Sequence, residues 1–154
     1  MDKQIKHERP PEQTVEVHLG ALLLQAADAV EGHVEEAAEV DIRWALGMRH
    51  HPDARSLAFL TDRLLTHCAT LATGVTEIPE AERPLRGRAV LETWAKLKED
   101  GPEDGPLGPW SYAKHLALAA RDMLQAIQDH RQQTQVHALF VGRPGMPPLA
   151  PANR

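Results

Sequence analysis

Histidine is the first residue type to weigh, because nine of 154 is a high share and imidazole is the commonest protein metal ligand. A helix offers two ligands to one ion only when they stand three or four residues apart on one face. The histidines stand at positions 7, 18, 33, 50, 51, 67, 115, 130 and 137. None has Asp or Glu three residues before it, so the Glu-x-x-His of di-iron bundles is absent. None has a second His four residues on, so His-Glu-x-x-His is absent too. His130 and His137 would lie about 10 Å apart along a helix, too far for one ion. His33 with Glu36 is the one close His–acid pair on a clearly helical stretch, and an acidic solvated face accounts for it. The expectation is no metal and no cofactor.

A nucleophile is equally hard to find. Cys68 is the single cysteine, which excludes an internal disulfide and a Cys-rich zinc site. Its neighbour His67 would point about 100° away on a helix and is no base for it. Cys68 falls instead on an apolar stripe with Leu64 and Leu71, the place of a buried structural thiol. There is no phosphate-binding loop, no Gly-rich dinucleotide turn and no nucleophile elbow. No catalytic residue is expected. Arg83, Arg86, Arg88, Lys96 and Lys98 interleave with Glu80, Glu82, Glu92, Glu99 and Asp100, which reads as a mixed solvated face.

Binding is a different matter. Trp44, Trp94, Trp110 and Tyr112 carry nearly all the aromatic surface, and His50-His51-Pro52 stands in a connection where side chains can converge. Core packing accounts for such aromatics in an Ala/Leu protein. If a small molecule binds, its pocket is expected near Trp44, His50, His51, Trp94, Trp110 and Tyr112. The string Gly108-Pro109-Trp110-Ser111-Tyr112 also opens a helix, whose free N–H groups and nearby Lys114 suit an anion, as every capped helix does.

These residues need elements to hold them. Residues 1–13 read as a disordered arm. From Thr14 apolar residues recur at helical spacing: Val15, Leu19, Leu22, Leu23, Ala26, Val30, Val34 and Ala37. A helix over 14–47 would be about 51 Å long, so a kink or break near Val40-Asp41, or a projecting end, is expected. Three further helices are expected near 54–73, 85–99 and 111–132. Asp53 or Ser56 would cap the second, with Gly74 just past its end. Ser111 would cap the fourth. Gly and Pro fill six of the nine positions 101–109, a loop. The reading is an all-α antiparallel bundle of about four principal helices over 14–135 with disordered termini. Residues 136–154 form an ambiguous short segment and a Pro-rich mobile tail.

Composition sets the remaining bounds. Ala supplies 22 residues, while Phe and Tyr together supply three. Such a core is thin and favours closely packed helices over strands. A net charge of −5 and a pI near 6.0 argue against a nucleic-acid partner and a polybasic membrane anchor. The dense apolar run Leu19–Ala27 is too short to cross a bilayer. The N-terminal residues lack the apolar stretch of a signal peptide, which points to the cytoplasm.

Two strings carry a family resemblance. One is Ile42-Arg43-Trp44-Ala45-Leu46 followed by Arg49-His50-His51-Pro52. The other is Arg86-Gly87-Arg88-Ala89 through Trp94, then Gly105-Pro106-Leu107-Gly108-Pro109-Trp110-Ser111-Tyr112-Ala113. Over about Leu19–His130 the chain resembles small uncharacterised actinobacterial proteins of a domain-of-unknown-function family, often labelled natural-product biosynthesis proteins. The resemblance implies a setting near secondary metabolism and brings no catalytic residues. The leading expectation is a non-catalytic helical module for protein–protein or self association, with a homodimer through the first helix. The alternative is a small-ligand binder or minor enzyme of a biosynthetic pathway.

Overall fold

The computed structural model describes residues 13–141, with side chains from 19 to 139. The expected N-terminal arm, apart from Gln13, and the Pro-rich tail from Gly142 lie outside them. Four helices follow in order: α1 (Gln13–Gly47), α2 (Ala54–Glu77), α3 (Leu85–Asp100) and α4 (Gly108–Val141). Among the described residues there is no strand, and the all-α class expected from the Ala/Leu composition holds. By internal contacts the chain divides into a unit ending at Ala37 and a unit starting at Ala38.

The second unit is the bundle, and α4 is its hub. Ten of the sixteen positions from Tyr112 to Ile127 are buried. Its buried stripe is wide, and Lys114, His115, Arg121, Asp122 and Gln125 occupy the remaining face. Five of those ten are Ala113, Ala117, Ala119, Ala120 and Ala126, so neighbouring backbones can come close. Gly74 of α2 shows how close: a Cβ there would stand 3.0 Å from Ile127 Cδ1. The chain alternates direction. The end of α2 meets the start of α3, where Gly87 faces Val75, and the end of α3 meets the start of α4, where Tyr112 Oη donates to the Leu97 carbonyl at 3.0 Å. The last turns of α1 contribute Ala38, Ile42 and Ala45 to the same core.

The helix ends differ from expectation for identifiable reasons. Asp53 caps α2, accepting from Ser56 N at 2.9 Å and Ser56 Oγ at 2.6 Å. Gly74 does not end that helix. The apolar stripe runs on through buried Val75 to buried Ile78, and α2 continues to Glu77. Its terminal carbonyls, orphaned by geometry, go to Arg83: Nε donates to Val75 O, and Nη2 donates to Thr76 O and Ile78 O. Arg83 is therefore no member of a solvated face. It is a charged cap on the negative end of the α2 dipole. Ser111 does not cap α4, which starts three residues earlier and takes the Ser111 N–H on the Leu107 carbonyl at 2.9 Å. Pro109 occupies the first turn, where its missing N–H costs nothing. Residues Val136–Val141, ambiguous by pattern, are helical. The expected break at Val40-Asp41 is absent, and α1 is helical through Gly47.

Gly108 is buried, and a Cβ on it would collide with the Glu103 carbonyl. Backbone cannot move aside as a flexible side chain can. Gly108→Ala is expected to lower stability by about 2 kcal/mol and the melting temperature by roughly 4–8 °C. Gly47→Ala, with nothing within 4 Å of the new methyl, should leave it unchanged or slightly raised. Equal melting temperatures for the two variants would refute this close-approach account.

Candidate functional site

Asp41 is the one buried charged residue of the described core, at 1% exposure. It shares the bundle face of α1 with Ala38, Ile42 and Ala45, at helical spacing. Its Oδ2 accepts from Arg63 Nε and lies against His67 Nε2, each at 2.7 Å. Both partners stand four residues apart on α2, so one carboxylate is held between two side chains of a single helix face. Arg63 reaches outward, with its guanidinium 5.5 Å from the Phe59 ring centroid, while the His67 side chain is 13% exposed. Taking a carboxylate out of water is costly unless it is paired and hydrogen-bonded. Here both conditions hold. The group clamps α1 to α2, and no other acid or nucleophile stands against it among the bonds described.

A second polar cluster ties the 48–53 connection to the start of α4. His51 meets the Trp110 ring edge to face, with centroids 5.3 Å apart. Lys114 Nζ lies 4.4 Å over the same ring, one turn along α4. The His51 ring nitrogens face two carbonyls, Nδ1 at 2.7 Å from Pro52 O and Nε2 at 3.2 Å from Pro106 O. A carbonyl only accepts, so a neutral imidazole can donate to one of them at a time. Trp110 Nε1 is buried with no acceptor, an arrangement that costs about 1–3 kcal/mol when nothing compensates it.

The six residues expected to line a pocket therefore separate. His51 and Trp110 meet. Tyr112 is buried in the core, with its hydroxyl on the end of α3. Trp94 is also buried, packed beside a groove between α2 and α3 lined by Ala69, Thr73, Thr76, Leu91 and Lys98. Trp44 is 42% exposed on α1, and His50 is exposed. Cys68 is buried, its thiol donating to the Leu116 carbonyl at 3.3 Å. Burial pushes that thiol from 9.0 up to about 12 and raises the Tyr112 phenol as well. A thiol so placed is a poor nucleophile. His67, next to it in sequence, turns to Asp41 instead. Among the described residues no three His, Cys, Asp or Glu side chains converge to hold a metal ion.

The Asp41–Arg63–His67 cluster was missed by sequence reasoning, yet it left a signal. Asp41 interrupts the apolar spacing Ala38, Ile42, Ala45. Arg63 and His67 stand beside the α2 stripe Leu57, Leu60, Leu64, Cys68. An acid within one stripe and two basic residues flanking another is the pattern of a buried pair. Only the pairing of the two helices makes it visible.

Two measurements follow. Removing one basic partner leaves Asp41 a charge-assisted bond, whereas removing both leaves it buried and unpaired. His67→Ala alone should cost about 1.5–3 kcal/mol, and Arg63→Ala with His67→Ala should cost more than the sum of the single changes. Urea unfolding of the four chains measures the coupling, and strict additivity would contradict it. The Cys68 thiol stays protonated in the fold and ionises more readily once unfolded. Its stabilising contribution is thus complete below pH 9.0 and declines as pH rises toward about 12. Near pH 10.5 the loss should be about 2 kcal/mol. Cys68→Ala should flatten that decline in urea midpoints, leaving the smaller part due to Tyr112. An equal decline in both chains would mean the thiol does not matter.

Among the described residues no helix is long and apolar enough to cross a membrane. No curated protein and no solved structure shows a significant match to the chain. A family model matches residues 36–132, the stretch that holds the last turns of α1, all of α2 and α3, and the buried part of α4. With well over half its length so matched, the chain belongs to the family of unknown function DUF6415.

Proposed function

We propose that this protein is a non-catalytic association module, a compact helical bundle carrying a helix that pairs with another protein surface. The observation that carries this reading is the exposure of an apolar helix. Leu19, Leu22, Leu23 and Val30 of α1 are 57%, 51%, 62% and 64% exposed. Soluble chains leave single apolar residues outside freely, but contiguous apolar stripes mark interfaces. Positions 19, 23, 26, 30, 33 and 37 follow alternating four- and three-residue steps, the spacing of a coiled-coil seam. In this chain they are Leu, Leu, Ala, Val, His and Ala. Asp28, Glu31 and Glu35 fall on the opposite, outward positions. The chemistry of the bundle supports the same reading, since its buried charge is spent on a structural clamp and its thiol on the core.

Magnitudes suit a reversible association. Covering half to two-thirds of four aliphatic side chains gains about 1 kcal/mol each, so a pair of chains gains roughly 8 kcal/mol. Association costs about 4–15 kcal/mol. The balance is a concentration-dependent equilibrium rather than a permanent complex. The resemblance to actinobacterial natural-product proteins supports an accessory role in secondary metabolism, in the cytoplasm. A small-molecule reading keeps one observation of its own, the acceptor-free Trp110 Nε1 beside Lys114. Its occupant would be an anion or a carbonyl compound, and binding would shift tryptophan fluorescence.

Light scattering of the unmodified chain from about 10 to a few hundred micromolar, a range set by this weak balance, tests the association. The mass should rise from 17.0 kDa toward twice that value. Leu19→Glu with Leu23→Glu should hold it at the single-chain mass without changing the melting temperature of the bundle. A mass fixed at one chain over the whole range would end the proposal of self-association.

A further inference from the structure

We draw no further inference here: the strongest candidate, the groove between the last turns of α1 and α4 rimmed by Arg43 and Arg121, carries nothing, because Glu39 in the same groove and Asp122 at 3.6 Å from Arg121 balance that charge and nothing in the structure shows what covers it.

Discussion

Three helices can close on a fourth only if the fourth is narrow. In α4 that requirement is met by alanine at 113, 117, 119, 120 and 126, all buried. The larger residues that share its inner faces, Leu116, Met123 and Leu124, fill the spaces between its neighbours rather than holding them away. Interiors are packed to the density of organic crystals, so each methyl kept off α4 is space taken by a neighbouring helix. Gly74 on α2 and Gly87 on α3 continue the same logic from the other side, with Ile127 and Ala126 against them. The core is thin in volume per residue yet continuous, because small residues stand where backbones approach.

That economy explains why one buried carboxylate is tolerable. The last turns of α1 bring only Ala38, Ile42 and Ala45 to the core, modest apolar area for an element that must be fixed in register. Asp41 adds direction where area is short. A carboxylate accepting from Arg63 and facing His67 has one good position, and a slip of one residue along α1 would leave it buried without partners. Burial of such a pair contributes little net stability but penalises alternatives heavily. The cluster is thus a positional constraint on α1.

How much of this was legible in the chain depended on distance in sequence. The all-α class and the four helices are local properties, and periodicity with turn chemistry was enough to locate them, while the cap of α2 was narrowed to Asp53 or Ser56. Errors arose where a local rule met a tertiary demand. Gly74 has the residue type of a helix end, but Val75 and Ile78 continue the buried stripe and the helix follows them. Ser111 has the type of an N-cap, but the collision-limited Gly108 fixes where α4 starts. The break expected near Val40-Asp41 rested on helix length alone, and the partners that bury Asp41 there lie 22 and 26 residues away. Of the aromatic and histidine residues grouped by type, only His51 and Trp110 meet. Residue type alone does not say that Trp94 and Tyr112 turn inward while Trp44 faces out.

The extent of the family match sharpens the contrast between the two parts of the chain. It begins at residue 36, two residues before the first core residue of α1, Ala38, and ends where α4 leaves the core. The matched stretch is therefore the stretch that must pack against itself, and every clamp described above falls inside it: the Asp41 pair, the Arg83 cap and the Tyr112 hydroxyl on α3. The leucines at 19, 22, 23 and 24 fall outside it, and all four are more than half exposed. Apolar side chains that a fold does not use are a standing cost in solubility. In the association reading proposed above, these side chains form the surface that a partner covers. On that reading, substitutions at Leu19 and Leu23 change association and leave the stability of the bundle core as it was.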